Sequence, residues 1–177
     1  MHNIILNTQK IISNVLEHFL QNESTNSNIQ KIFIEKFYSY VSEGDISQID
    51  IEILSKSALD VLEFMDSRTD YSPKIKVYNP TYNNDIENEV NNTEIYMINN
   101  DKPFIIDSII ETLNRYNLNI KLLIHPIFAV ERDKNGKLIN LYKDLSDNDS
   151  FTQESVVQIT LDRRISENKI KKMLYWY

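Results

Sequence analysis

Residues able to do chemistry are few in this 177-residue chain, and their spacing excludes most of what they might do. The two glycines, Gly44 and Gly136, stand too far apart to build a phosphate-cradling loop, so no dinucleotide fingerprint fits. His2, His18 and His125 lack metal-ligand spacing, and the absence of cysteine removes thiolate and disulfide chemistry. His125 falls in a strand beside Pro126 and reads as a structural histidine. Asp107 and Glu111 lie one helical turn apart, but no nucleophile or cation joins them, so they read as a solvated helix face. Asp162, Arg163 and Arg164 read as a charged strand end, with an anion site as the alternative. These residues assemble no catalytic, cofactor-binding or metal-binding set. One place invites a ligand. The turn Asn99-Asn100-Asp101, ahead of a helix start at Phe104, sets polar side chains opposite helix N–H groups, which attract anions and polar ligands, although a purely structural cap is the favoured reading of these residues alone.

The elements that must position that turn are legible from periodicity. Thr93 to Asn99 alternates as a strand. Asp101 is placed to cap the following helix, with Pro103 in its first turn, where a missing N–H costs little. Ile106, Ile109, Ile110 and Leu113 form one helix face, and Asn117 suits a left-handed stop. Ile120, Leu122 and Ile124 line one face of the next strand. Pro126 cannot donate to a ladder and marks an edge or a bulge. Strand character resumes through Phe128 and Val130. Asn135-Gly136 then turns a hairpin into a strand carrying Ile139 and Leu141 on one face. Leu145 to Thr152 is loop-like, Val156 to Leu161 is a strand, and Ser166 caps a last helix with Ile170, Met173 and Leu174. This order is the split βαβ of a ferredoxin-like fold without its last strand. Either a strand near Ile75 to Tyr78 or one beyond the chain's end fills the vacant place.

Ahead of this unit the chain is helical. Ile5, Ile12, Leu16, Phe19 and Leu20 mark one helix. Ile29, Phe33, Phe37 and Tyr40 mark a second, with a capping box at Ser27 and Gln30 and a stop at Glu43-Gly44. Ile51, Leu54, Ala58, Val61, Leu62 and Met65 mark a third, capped by Asp50. These stripes read as core faces. Ser67 to Pro73 is a linker and Asn83 to Asn92 a polar loop. The fold class is therefore α+β: an N-terminal helical segment over 1–72, then a sheet-containing domain over 73–177 with a mainly antiparallel sheet packed on helices. Tyr175, Trp176 and Tyr177 have no following element to cover them, so the domain is expected to be truncated at its C-terminus and to self-associate.

The net charge of -7 disfavours a nucleic-acid partner. No apolar run reaches the ~18 residues of a membrane span. The start, MHNIILNTQK, lacks the order of a signal peptide. A soluble cytoplasmic protein is the expectation.

The segment NDKPFIIDSIIETLNRYNLNIKLLIHPIFAVERDKNGKL resembles the N-terminal region of the large bacterial NAD-dependent glutamate dehydrogenases. The matching features are Asp101, Pro103-Phe104, Asp107-Ser108, Leu113-Asn114-Arg115, His125-Pro126, and Arg132 with Gly136. KVYNP from Lys76, FYSYV with Asp45-Ile46 and Ala58, and SVVQITLDR extend the similarity over nearly the whole chain. The family often has Gly at the helix stop, where this chain has Asn117. The resemblance implies an ACT-like domain preceded by helices, serving regulation and assembly of an enzyme that converts L-glutamate to 2-oxoglutarate with NAD. That family's catalytic domain lies beyond every matched position, so no catalytic residue and no NAD site carries over. The resemblance further implies an amino-acid effector at the strand-helix turn, at Asn99, Asn100, Asp101, Phe104 and Asp107. It implies as partners a second copy of the chain or the remainder of a split dehydrogenase. The alternative readings are a stand-alone amino-acid-binding sensor and a structural interaction module.

Overall fold

A computed structural model describes residues 2–22, 28–69, 72–80, 91–143 and 151–174. Four helices come first: α1 (His2–Asn22), α2 (Asn28–Phe37), α3 (Glu43–Ile46) and α4 (Ile51–Met65). They are followed by β1 (Lys74–Tyr78), β2 (Glu94–Asn100), α5 (Ile105–Arg115), β3 (Ile120–Ile124), β4 (Ile127–Arg132), β5 (Leu138–Tyr142), β6 (Thr152–Leu161) and α6 (Glu167–Leu174). The strands form one antiparallel sheet in the order β1-β2-β6-β4-β5, with β3 also on β6. The ten-residue β6 is the centre: β2 pairs along one side of it, and β3 and β4 follow end to end along the other. Of the two sources for the missing edge strand, β1 takes the place, antiparallel to β2 with Ile75 opposite Met97.

Both sheet faces are covered, and strand alternation decides which side chain goes where. Ile95, Met97, Val157, Ile159 and Leu161 pack with Ile109 and Leu113 of α5. Tyr96, Ile98, Val156, Phe128 and Val130 pack on the opposite side with Phe33, Phe37, Leu54, Ala58, Val61 and Met65. Phe33 stacks on Phe128 at 5.2 Å between ring centroids, which ties α2 to β4. Each such side chain contributes roughly 1.5–3 kcal/mol on burial, so the helical layer and the sheet share one interior.

Local signals fix several ends. Asp50 caps α4, its carboxylate accepting from the Glu52 N–H at 2.7 Å. Lys74 Nζ donates to the carbonyls of Phe64 and Ser67 at the other end of α4, where the helix dipole favours a cation. Asn117 is left-handed (φ 52°), as a helix stop requires. Gly136 (φ 81°) turns the β4–β5 hairpin, and a Cβ there would lie 2.2 Å from the Arg68 carbonyl oxygen, so glycine is required twice over.

Elsewhere the structure departs from the sequence expectation. Helix α2 ends at Phe37, leaving Tyr40 beyond it and 81% exposed, and Glu43-Gly44 open α3 where a stop was expected. A register shift between Ile120 and Leu122 turns Ile120 to the α5 face while Leu122 and Ile124 face α4. A second shift at Glu131/Arg132 brings Leu138 inward in place of Ile139, which is 48% exposed. Pro126 causes no bulge. Ile124 faces Gln158 and Ile127 faces Ser155 in unchanged register, and the Pro126 carbonyl still accepts from Val156 N–H; its missing donor merely divides β3 from β4. Ser27, most of the 83–92 and 145–152 loops, and Tyr175, Trp176 and Tyr177 lie outside the described residues.

The segment after α4 is stapled to the sheet by ions. The Glu154 carboxylate, fully buried on β6, accepts from Arg68 Nη1 at 2.9 Å and bidentately from Arg132 Nε and Nη2, both at 2.8 Å. Arg68 also donates to Asn100 Oδ1 and the Ser72 carbonyl, and Arg132 to the Met65 and Gly136 carbonyls. Backbone bonds Arg68 N–H to Gly136 O and Leu138 N–H to Asp66 O close the same junction. Removing one partner of a buried pair leaves charge in low dielectric. Glu154→Gln is therefore expected to lower the unfolding free energy by about 3–5 kcal/mol in urea titrations. A loss below about 1 kcal/mol would remove this network from the determinants of the fold.

Candidate functional site

On the face covered by α1–α4, the strands carry polar groups among their apolar neighbours. Glu94 begins β2 and is only 4% exposed. Pairing with β6 sets it opposite Thr160, and Gln158 lies two residues along on the same face. Its Oε1 accepts from Asn92 Nδ2 at 2.6 Å and its Oε2 from Gln158 Nε2 at 3.1 Å, while the Thr160 hydroxyl is shared between both oxygens at 2.9 and 3.1 Å. Gln158 Nε2 also reaches Ser57 Oγ of α4 at 2.8 Å. The cluster thus joins α4, the approach to β2, and β6. Asn92 is buried, yet its Oδ1 has no hydrogen-bond partner among the described residues.

These groups floor a cavity of about 640 Å3 between the sheet and the α3–α4 region. Asp45, Gln48 and Lys121 stand on its walls and are exposed, so it reaches solvent. Burial is the main cause that pushes the Glu94 carboxyl from its ordinary 4.5 up to about 7; the donors Gln158, Thr160 and Asn92 and the charge of Lys121 pull the other way. Nearby, burial and the adjacent Tyr78 raise the Tyr96 hydroxyl, whose oxygen lies 2.7 Å from that of Tyr78. The arrangement holds a carboxyl near its midpoint at neutral pH inside a cradle of donors. Among the described residues that line it, no nucleophile is paired with a base. A larger cavity of about 800 Å3 beside α1 and α2 has walls of mixed charge, with Lys143 already paired to Glu35 at 3.1 Å.

The five residues expected at the strand-helix turn lie elsewhere, at the far end of β2. Asn99 Oδ1 accepts from the Asn100 N–H, and Asn100 Oδ1 is taken by Arg68. Asp101 does not cap α5. Its N–H is held by the Gln153 carbonyl at 2.8 Å, which keeps it aligned with β6 and pushes the helix start past Pro103. Phe104 takes the cap position in a left-handed conformation (φ 66°), without a side-chain cap and 75% exposed. Asp107 is exposed in the first turn of α5. The turn is thus separate from the Glu94 cavity. Glu111 pairs with Arg115 on the surface, and Asp162 accepts from Asn119 at 2.8 Å. His125 Nε2 lies 2.5 Å from Ser155 Oγ, its pKa lowered by burial against a smaller opposing effect of Asp101. Among the described residues, no group of three His, Cys, Asp or Glu is placed to hold a metal, and no helix is long and apolar enough to cross a membrane.

Sequence reasoning passed over Glu94, Asn92, Gln158 and Glu154. The available signal was that Ile95-Tyr96-Met97-Ile98 and Val156-Val157 leave no polar face. Strands apolar on both sides are covered on both sides, and a carboxylate within one is buried.

A central antiparallel sheet with split βαβ connections, helices on both faces and an edge strand supplied from upstream defines an ACT-like α+β domain. The family model described as "Glutamate dehydrogenase, ACT1 domain" matches residues 33–174, and the chain belongs to that family. It is 26% identical over 132 residues to an NAD-specific glutamate dehydrogenase of Pseudomonas aeruginosa, a match covering 75% of this chain and 8% of the relative. It is 25% identical over 144 residues to an NAD-specific glutamate dehydrogenase of Halomonas elongata, covering 80% of this chain and 9% of that relative. The matched stretch therefore spans less than a tenth of either relative's length. No solved structure matches the chain significantly.

The Glu94 pKa carries a stability consequence of definite sign. A carboxyl raised from 4.5 to about 7 binds its proton more tightly in the folded state, so its contribution is complete below pH 4.5 and is lost as pH rises through about 7. The loss amounts to roughly 3 kcal/mol. His125 has the opposite sign, since its lowered pKa removes stability as pH falls. The Glu94 effect is therefore read as a difference. Between pH 5 and pH 8, urea titrations should show wild type losing roughly 3 kcal/mol relative to Glu94→Gln. Parallel curves for the two proteins would show that Glu94 titrates normally.

Proposed function

We propose that this chain is a regulatory and assembly segment of the NAD-specific glutamate dehydrogenase type. The parent reaction is oxidative deamination of L-glutamate to 2-oxoglutarate, carried out by protein outside this chain. The observation that carries the reading is the ACT1-domain match over 33–174, which falls on less than a tenth of each relative. The turn from Asn99 to Phe104, with Asp107 beyond it, is the proposed place for an amino-acid effector, and NAD is a cofactor of the parent enzyme only. A cytoplasmic location and association with further copies belong to the same reading. Phe104 and Tyr40, both largely exposed, and the edge strands β1 and β5 are surfaces through which copies would meet.

The purified chain, supplied with L-glutamate and NAD, is expected to produce no NADH, and to scatter light as a dimer or larger species. Sustained NADH production dependent on L-glutamate would overturn the proposal.

A further inference from the structure

The Glu94 cavity carries a buried polar cluster that the family reading does not use. We propose that it is a binding site for a small molecule carrying a compact ammonium group, with Glu94 and Asn92 as the acceptors.

Three observations point to that chemistry. First, what the floor leaves over is acceptor capacity. Asn92 Oδ1 has no partner among the described residues, while Asn92 Nδ2 is committed to Glu94 at 2.6 Å. The Glu94 carboxylate receives three donor groups, one of which, the Thr160 hydroxyl, is shared between its two oxygens, against about four lone-pair directions. A ligand that completes this set must donate. Second, the described part of the walls disfavours an anion: Asp45 and Asp50 line the cavity, with Lys121 the one cation among the described lining residues. Third, about 640 Å3 falls within the range of small-molecule sites, and the floor is made of elements that the shared core holds rigidly. The proton that Glu94 retains near neutrality is a stand-in for such a cation. An ammonium group would displace it, so binding should strengthen as pH rises through about 7. Among the described residues, the charged and titratable groups that line the cavity with Glu94 are Lys121 from β3, Asp45 from α3, Asp50 ahead of α4 and Tyr38 after α2, whose hydroxyl donates to the Leu54 carbonyl; Tyr96 lies two residues along β2 and is influenced by Glu94.

The test is an NMR titration of the full chain with methylammonium chloride and with 1,4-diaminobutane, and with sodium acetate and sodium chloride as controls. Saturable shifts at the Asn92 side-chain amide and at Glu94 and Gln158 are expected with the amines alone, tighter at pH 8 than at pH 6 by about tenfold. Glu94→Gln should weaken binding by about tenfold or more while preserving the dispersed spectrum of a folded protein. Lys121→Met, on the exposed rim, should tighten it, and it keeps the test decisive if Glu94→Gln does not fold. Absence of saturable shifts with either amine, equal affinity at the two pH values, or unchanged affinity in Lys121→Met would each overturn the proposal.

Discussion

The junction of Arg68, Glu154 and Arg132 is the constraint on which the rest of this molecule depends. A carboxylate fully buried in the central strand would be costly alone; two guanidinium groups make it tolerable, and each is anchored again by main-chain carbonyls. The consequence is topological. The chain leaves α4, passes Arg68, and meets the β4–β5 hairpin so closely that only Gly136 fits against it. The helical layer cannot slide over the sheet without breaking this contact. Arg68 also holds Asn100, so the end of β2 is fixed by the same ions.

That rigidity gives the polar interior its meaning. Glu94, Gln158, Thr160 and Ser57 meet only because α4 lies over β2 and β6 in a fixed register. Glu94 itself is only 4% exposed at the cavity floor, and its raised carboxyl pKa is the result of that burial. This chain thus contains two separate polar regions, at opposite ends of β2: the turn before α5 and the cavity beneath α4. An effector at the first and a ligand at the second would act on the same strand.

Much of the fold was legible because local rules were sufficient. Asp50 before an apolar stripe, Asn117 after one, and Asn135-Gly136 between strands each determine backbone geometry within a few residues. What local rules cannot reach is the coverage of the second sheet face. Ile120 and Leu138 changed sides through register shifts that depend on partner strands, and Asp101 lost its cap to a backbone bond with Gln153 on a strand far along the chain. Glu94 and Glu154 stand in strands apolar on both sides, which marks them as buried, but their partners are settled only once α4 and Arg68 are placed against the sheet.

Helical layer and sheet form one cooperative unit, held by a shared core and the Arg68–Glu154–Arg132 junction, with the polar cavity between them. Native-state hydrogen exchange in increasing guanidinium measures this directly. The slowest amides of α4 (Ile51–Met65) and of β6 (Thr152–Leu161) are expected to merge into one opening reaction, with free energies equal within about 1 kcal/mol. If α4 exchanged through a separate opening of much lower free energy while β6 stayed protected, the two layers would be independent and the account would be contradicted.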